Sequence, residues 1–184
     1  MPDREQALDL LQEYTKNDNL IKHALSVEAA MRHYAKHFGE DESLWGVVGL
    51  LHDFDYEKYP SLDDHPFQGV EILRSRGYDE LLVRAILSHA NHTNVPRESL
   101  LEKTLFSVDE LCGLITAVAL VRPSKRIADV EVRSVKKKMK DKGFARSVNR
   151  DDIRQGPEAL GIELDTHIAQ VLEAMRGVAA ELGL

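Results

Sequence analysis

LLHDFD, residues 50–55, ends an apolar run with a histidine and a carboxylate side by side. The run begins near Ser43, a suitable helix N-cap, and predicts a buried helix that ends near His52. Burying the carboxylate of Asp53 beside this run costs free energy unless a cation or hydrogen bonds compensate. A helix C-terminus also disfavours a negative charge. Both arguments favour a metal ion as the partner of His52 and Asp53.

Four more side chains of the same two chemical types flank this pair: His23, His65, His89 and Asp109. Imidazole and carboxylate groups together suit a divalent metal of intermediate softness. Asp109 lies in the apolar segment FSVDELCGLI, residues 106–115, where an inward carboxylate again needs a partner. Helical geometry turns Glu110 about 100° away from Asp109, so we expect Glu110 to face solvent. We interpret Cys112 as a small buried apolar residue.

The spacing of apolar residues is helical nearly throughout, which predicts an all-α fold. The first helix contains Tyr14, and the second spans about residues 20–38 and stops at Gly39. A fourth begins near Pro66, a fifth spans about residues 78–89, and a long apolar helix at residues 100–121 should be central. Two or three helices follow Pro123, the last at about residues 165–182 with Asp165 as its cap. We therefore predict a bundle-like domain over residues 1–121 and a C-terminal helical extension over residues 122–184, packed on the same domain.

The composition is that of one compact globular domain. The chain has 184 residues, of which 43% are hydrophobic and 30% are charged. Its single cysteine cannot form an internal disulfide, which favours a reducing, cytoplasmic location. The N-terminus lacks the apolar core of a signal peptide. The longest uncharged run, residues 111–121, has 11 residues and is too short to cross a bilayer, which takes about 20.

Charge is unevenly spread along the chain. The net charge is −7, but residues 122–150 contain 11 Lys/Arg and 3 Asp/Glu, a local balance of +8. Such a segment is typical of either a solvated basic helix or an anion-binding surface. The overall negative charge, and the lack of interleaved aromatic residues beyond Phe144, argue against nucleic acid as a partner. The sequence leaves the oligomeric state open.

The order of these candidate ligands carries a family resemblance. His23, His52 with Asp53, and Asp109 resemble the HD-domain superfamily of metal-dependent phosphohydrolases, over roughly residues 18–121. The resemblance implies a single HD-type helical bundle in which these four groups hold a divalent ion. The pair is followed by Phe54 and Asp55 rather than by Ile-Gly, and the paired histidines and GYP signature of cyclic-di-nucleotide phosphodiesterases are missing. That substrate is therefore disfavoured.

Two further segments are similar to the binuclear branch of the superfamily. HPFQGVEIL, residues 65–73, opens with His65, and AILSH, residues 85–89, ends with His89. The similarity implies a second ion on His65 and His89, with Asp53 bridging the two ions. We expect Asp55 to orient a ligand histidine, and His92 to face the same pocket if its helix continues.

The resemblance implies hydrolysis of a phosphoester, in a nucleotide or a small phosphorylated metabolite, by a metal-activated water. His52 and Asp53 would be the catalytic residues, and the cofactor would be one or two divalent ions (Mn, Fe, Co, Ni, Zn or Mg). Basic side chains would bind the substrate phosphate, and we predict Lys103, Arg122 and Lys125 for this role, with residues 136–142 as a further basic segment.

Two alternatives stay open at this point. A non-haem di-iron oxygenase on the same scaffold resembles this chain equally in its order of six ligands. A non-catalytic module could instead bind a nucleotide and signal through the C-terminal helices.

Overall fold

The computed structural model describes residues 3–184, so Met1 and Pro2, which begin the predicted 1–121 domain, lie outside it. Within residues 3–184 the regular structure is helical, with short 3-10 turns at Asn91–Thr93 and Ile127–Asp129 and no strand, which confirms the all-α fold class. The α-helices are α1 (Arg4–Tyr14), α2 (Asp18–Phe38), α3 (Glu42–Leu51), α4 (Phe67–Ser75), α5 (Glu80–His89), α6 (Leu100–Leu120), α7 (Val132–Met139), α8 (Arg150–Leu160), α9 (Leu164–Gly177) and α10 (Ala179–Leu182). None of the helices in this part of the chain combines the length and the apolar character needed to cross a membrane.

Two predicted helix caps are wrong. The N-cap of α3 is Asp41, whose carboxylate accepts hydrogen bonds from the backbone of Ser43 and Leu44. At α9 the cap position belongs to Glu163, and Asp165 lies in the first turn, where it pairs with Lys136 at 2.6 Å. In both cases an acidic residue two positions before the predicted cap takes the cap position, where its negative charge suits the positive end of the helix.

The C-terminal part contains more helices than predicted. Four α-helices, α7 to α10, follow Pro123 within the described residues, instead of two or three. The predicted last helix is interrupted at Val178, whose backbone leaves helical geometry (φ −119°, ψ 18°) directly after Gly177. Glycine has low helix propensity, which explains a break at this point.

α2 and α3 approach each other closely at Gly49. A Cβ at this position would lie 2.9 Å from the backbone oxygen of Val27 and 2.9 Å from Met31 Cγ. Only a glycine lets the two helices come so near. Val27 lies one turn after His23 on α2, and Gly49 lies three residues before His52 at the end of α3. The close contact between the helices therefore brings these two imidazoles together, with 5.2 Å between ring centroids.

The C-terminal helices pack against α6 and α2. On α8, Gly156 lies against Ser107 of α6, where a Cβ would come within 2.6 Å of the Ser107 side chain. On α9, His167 lies between α2 and α6. We propose that residues 122–184 act as a helical extension of the 1–121 domain, because α7, α8 and α9 all pack against α6, and α9 also packs against α2.

His167 forms a fully buried polar cluster away from the candidate ligands. Its Nδ1 accepts a hydrogen bond from the Tyr34 hydroxyl at 2.5 Å, and its Nε2 donates to the backbone oxygen of Ser107 at 2.9 Å. These bonds satisfy a neutral imidazole and leave no acceptor for a second proton. Burial lowers the pKa of His167 to about 4.

We expect this histidine to make folding stability depend on pH. The unfolded chain binds a proton near pH 6.5 but the folded protein only near pH 4, so acid favours the unfolded state between these values. The contribution to the free energy of unfolding is fully present above pH 6.5 and should fall by about 2 kcal/mol on going from pH 7.5 to pH 5. Urea denaturation at the two pH values, in the presence of a chelator, measures it. His167→Gln should remove this part of the pH dependence, and an unchanged difference between pH 7.5 and pH 5 in the variant would contradict the assignment.

Candidate metal centre

All six predicted ligands lie together, in two adjoining groups. One group contains His23, His52 and Asp109, and the other contains Asp53, His65 and His89. Within each group the potential ligand atoms lie within 4.8 Å of one another. The side chains come from α2, from the end of α3 and the turn beyond it, from the segment before α4, and from α5 and α6. Either group could hold a metal ion.

Asp53 stands between the two groups and turns one carboxylate oxygen toward each. Its Oδ2 lies 3.4 Å from His52 Nε2, and its Oδ1 lies 3.2 Å from the Nε2 atoms of both His65 and His89. Neighbouring residues diverge by about 100° on a helix, but α3 ends at Leu51, so Asp53 is free to turn toward the same space as His52. The geometry suits a carboxylate that bridges two ions.

Three imidazoles are oriented by a hydrogen bond on the ring nitrogen that faces away from the cluster. Nδ1 of His52 donates to the Gly49 carbonyl at 2.8 Å, and Nδ1 of His89 donates to the Ile86 carbonyl at 2.5 Å. Nδ1 of His65 donates to Asp55 at 2.8 Å. Metal-binding histidines usually carry such a partner, which fixes the ring and leaves the Nε2 lone pair for the ion.

The cluster favours positive charge. Burial lowers the pKa of His52, but the carboxylates of Asp53 and Asp109 outweigh it and raise the pKa well above the usual value. Burial likewise raises the pKa of Asp53 and of Asp109, but the nearby imidazoles outweigh it and hold both carboxyls well below their usual range. For His65, burial lowers the pKa, and Asp53 and Asp55 raise it to about 9. Asp53 and Asp109 therefore stay ionised inside the cluster, and their negative charges stabilise a cation there.

His52 supplies a direct test of whether a metal fits. Its side chain is fully buried, and its Nε2 has no hydrogen-bond partner among the described residues. That atom faces two carboxylates, from Asp53 and Asp109, each at 3.4 Å. A buried polar atom without a partner costs about 1–3 kcal/mol, and a cation between Nε2 and the two carboxylates would bind the imidazole and balance both negative charges. The residues present therefore fit a divalent ion.

Asp55 holds His65 in place and depends in turn on Gly69. One oxygen of Asp55 accepts from His65 Nδ1, and the other accepts from the backbone N–H of Gly69 at 2.8 Å. Asp55 is 1% exposed, so it is not the solvated loop carboxylate that a turn position suggests. A Cβ on Gly69 would lie 2.7 Å from Asp55 Cγ, which explains a glycine at this place in HPFQGVEIL.

Gly69→Ala should weaken metal binding at the group that contains His65. The added methyl group displaces Asp55, and His65 loses the acceptor that fixes its ring. We expect roughly 10- to 100-fold weaker affinity for one of two ions, which is typical for loss of such a partner. Competition with a coloured chelator measures the affinity. Gly177→Ala is the matched control, because an added Cβ there meets nothing within 4 Å; equal affinity in the two variants would contradict the role of Asp55.

His92 lies close to the ligands but contacts them through the backbone. The helix does not continue past His89, so His92 falls in the 3-10 turn, and its Nε2 donates to the carbonyl oxygen of His65 at 2.8 Å. The prediction that His92 faces the pocket required a longer helix and is wrong in that respect.

A cavity of about 210 Å³ opens onto the ligands, and it is acidic. Asp53, His65, His89 and Asp109 line it, and they are joined by Glu110 and Asp152. No lysine or arginine is among its lining residues. Apart from its histidines, the cavity therefore offers a phosphate no positively charged side chain.

Glu110 and Asp152 are site residues that the sequence analysis missed. Glu110 was expected in solvent, but it is half-buried, and its carboxylate accepts from the backbone N–H of Asn149 at 3.0 Å. Burial and the neighbouring charge of Asp109 raise the pKa of Glu110 to about 7. The start of α8 covers this face of α6, and nothing in the local pattern around Glu110 signals that contact.

A chain of contacts fastens the start of α8 to the cavity wall. Arg97 lies over the ring of Phe106, 3.6 Å from its centroid, and donates to the His89 carbonyl and to Asn91. Asn91 in turn donates to Asp152 at 3.1 Å. The residues that follow α5 and the first turn of α8 are thereby held together at the cavity.

The structure does not bring the three predicted phosphate-binding residues to this cavity. None of Lys103, Arg122 and Lys125 lines it. Arg122 lies 13 residues beyond Asp109 along and past α6, a separation of about 20 Å at helical rise, and its guanidinium donates to Ser134. Lys125 is further along the chain, and Lys103 lies about two turns before Glu110 on α6. These three residues lie in or just after the central helix in the sequence, but the fold does not place them in the cavity beside the ligands.

The fold and the ligand order define an HD-type helical protein. A family model of the HD domain matches residues 20–114, just over half of the chain. The chain belongs to the HD domain family, as the order of its ligands predicted. The family supports a metal-dependent phosphohydrolase class for this protein.

Several curated proteins are similar to part of this chain. The tRNA (cytidine(56)-2'-O)-methyltransferase of Thermoplasma volcanium is 34% identical over 89 residues, which is 48% of this chain and 26% of that protein. The enzyme of the same name from Picrophilus torridus is 30% identical over 89 residues, with the same shares of the two chains. Ribonuclease Y of Mesoplasma florum is 28% identical over 117 residues, which is 61% of this chain and 21% of that protein. The similarity thus spans about a quarter of the length of these relatives, and no solved structure matches the chain.

Proposed function

We propose that this protein is a metal-dependent phosphohydrolase that cleaves a phosphoester in a nucleotide or a small phosphorylated metabolite. One observation carries the proposal: Asp53 presents separate oxygens to two ligand groups, beside a cavity of about 210 Å³. In such a site His23, His52 and Asp109 would hold one ion, His65 and His89 a second, and Asp53 both. Divalent ions in a shared site of this kind supply Lewis acidity toward a phosphate and toward water.

The protein's own groups prepare this chemistry by fixing positions. Hydrogen bonds to Gly49, Ile86 and Asp55 hold three imidazole rings, so little reorganisation is needed when a ligand binds. The bridging Asp53 lines the cavity, whereas His52 is fully buried beneath it. Of the two predicted catalytic residues, Asp53 is therefore the one that a substrate phosphate could approach, and His52 would act by holding an ion.

The names of the relatives support a substrate that contains a nucleotide. One relative is called a ribonuclease and the others are called tRNA methyltransferases. These names refer to RNA, so they give no support to the expectation that nucleic acid is disfavoured as a partner.

The two alternatives, a di-iron oxygenase and a non-catalytic module, would use the same candidate ligands as a phosphohydrolase. They differ from it in the metal retained and in turnover. An oxygenase would retain iron during aerobic purification and show the electronic spectrum of a mixed-valent pair. A regulatory module would bind a nucleotide without turnover. The acidic cavity and the shared carboxylate serve each of these functions, so metal identity and turnover decide among them.

A metal-supplemented screen tests the proposal. The purified protein is stripped with a chelator, reloaded separately with Mn, Fe, Co, Ni, Zn or Mg, and assayed for phosphate release from nucleotides and phosphorylated metabolites. We expect activity that requires a metal and disappears on chelation. Absence of turnover with every metal, in protein that elemental analysis shows to be loaded, would contradict it.

A further inference from the structure

A basic groove lies on the C-terminal helices, directly beside the candidate metal centre. It has a volume of about 610 Å³ and runs along the segment between α7 and α8. Its cationic lining residues are Lys140, Lys142, Arg146, Arg150 and Arg154, against a single acidic residue, Asp151. Four of the eleven Lys and Arg residues of segment 122–150 therefore line one concave surface, together with Arg154.

Three of these cations are free to bind a ligand. Lys140, Lys142 and Arg146 are exposed, and none of them forms an ion pair within residues 3–184. Arg154, in contrast, pairs with Asp151 at 2.8 Å. Free, exposed cations grouped in a groove are a favourable place for phosphate groups.

The segment that carries these cations is held in a fixed shape. The guanidinium of Arg150 donates to the backbone oxygens of Phe144, Ala145 and Val148, at 2.6 Å for Val148. Arg150 is thus a structural residue that closes the loop, while Lys142 and Arg146 project from it. A preorganised set of cations loses less entropy when it binds a polyanion.

The groove continues toward the cavity through the start of α8. Arg150 and Asp151 line the groove, and the next residue, Asp152, lines the metal cavity. The backbone N–H of Asn149 contacts Glu110 inside the cavity. The first turn of α8 therefore contributes to the walls of both the groove and the cavity. The cavity contains no lysine or arginine, whereas five line the groove.

Two exposed aromatic rings lie near histidines of this region, one in the segment before α4 and one at the first residue of α4. Tyr56 lines the cavity, with its ring 5.3 Å from that of His65, and Phe67 lies 6.0 Å from the ring of His92. Both are more than a third exposed, although large apolar side chains are usually covered. Cationic grooves combined with exposed aromatic rings are typical of proteins that bind single-stranded nucleic acid, in which bases stack and phosphates pair with cations. These rings are far from the basic segment in sequence, and the fold places Tyr56 in the wall of the cavity.

We propose that the groove binds the phosphodiester backbone of a single-stranded oligonucleotide and leads it into the metal cavity. This inference rests on the proposed phosphohydrolase function and names its substrate class. A duplex does not suit the recessed cavity of about 210 Å³, since a base pair must be opened before one nucleotide can enter such a site. Lys140, Lys142 and Arg146 would contact phosphates, and Tyr56 would stack on a base near the bond that is cleaved.

The test compares a groove variant with a charge-matched control in metal-loaded protein. The groove variant is Lys142→Gln with Arg146→Gln, and the control is Lys16→Gln with Lys36→Gln, which removes the same charge at exposed positions outside the groove. Fluorescence anisotropy measures binding of a short labelled single-stranded RNA and of the DNA of the same sequence. The same proteins are then assayed for cleavage of that RNA and of bis-p-nitrophenyl phosphate, a small ester that does not reach the groove.

We expect the groove variant to bind the oligonucleotide at least about tenfold more weakly and to cleave it correspondingly more slowly, with unchanged turnover of the small ester. The slope of log affinity against log salt should decrease by about 1.4, or about 0.7 for each lost phosphate contact. The control should behave like the unmodified protein. Equal oligonucleotide binding by the groove variant and the control would overturn the inference, as would equally tight binding of polyglutamate by the unmodified protein.

The two proposals fail in different ways. If metal-loaded protein hydrolyses neither substrate, the proposed function is wrong, but loss of RNA binding in the groove variant still supports the groove. If the small ester is hydrolysed and no oligonucleotide binds, the function stands and the groove assignment is wrong.

Discussion

Asp53→Ala is expected to abolish both metal binding and phosphoester hydrolysis. Asp53 is the side chain that faces both ligand groups, at 3.2–3.4 Å from three imidazole nitrogens, so its loss removes a ligand from each. We expect fewer than about one in ten sites to retain metal and turnover to fall by roughly 1,000-fold or more, since metal stabilisation of a phosphoryl transition state is worth several kcal/mol. Elemental analysis and the phosphate-release assay measure the two effects.

Asp63→Ala is the control for this variant. Asp63 is an exposed carboxylate in the segment before α4, so its removal changes the net charge equally and leaves the ligands intact. The control should retain metal and activity. Turnover that persists in metal-stripped Asp53→Ala protein would rule out the metal-dependent mechanism.

Asp109→Ala should lose metal far more than it loses stability. The carboxylate of Asp109 contacts His23 at 2.9 Å and His52 at 3.4 Å, so without it one ligand group is left with two imidazoles. We expect one of two ions to be lost and activity to fall on the order of 1,000-fold, equivalent to about 4 kcal/mol. In the presence of a chelator, the free energy of unfolding should fall by roughly 1–2 kcal/mol, because the variant loses a partly buried ion pair with His23 and His52 while alanine favours the helix.

Leu111→Ala gives the opposite result on the same helix. Leu111 is fully buried in the core, so its truncation should cost about 2–5 kcal/mol of stability. Because Leu111 supplies no ligand atom, folded Leu111→Ala protein should still bind metal. Normal metal content in Asp109→Ala, or the same loss of metal in both variants, would defeat the assignment of Asp109 as a ligand.

The candidate ligands could be predicted from the sequence because they are ionisable side chains in apolar segments. A carboxylate at the end of an apolar helix, as at Asp53, or within one, as at Asp109, needs a buried partner. The structure brings all six predicted side chains together in two adjoining groups. The predicted role of Asp55 was also derived from chemistry, and its contact with His65 is consistent with it.

Other features depended on contacts that no local pattern encodes. Glu110 follows Asp109 and was assigned to solvent by helical periodicity, yet Asn149, 39 residues further on, covers it. The phosphate-binding prediction named Lys103, Arg122 and Lys125 on the basis of charge alone. Charge along a chain does not show which way a side chain faces: none of these three lines the cavity, whereas Lys140 and Lys142 of the predicted 136–142 segment line the basic groove.

By itself, the sequence determined the helical class of the protein, its family and the chemical types of its candidate ligands. These follow from local quantities: the period of apolar residues, the cost of an unpartnered carboxylate, and the order of histidines and aspartates. Only the tertiary structure decided that Asp53 faces both ligand groups, that the cavity is acidic, and that a basic groove adjoins it. Each of these depends on where helices distant in sequence pack, which is set by close approaches such as those at Gly49 and Gly156.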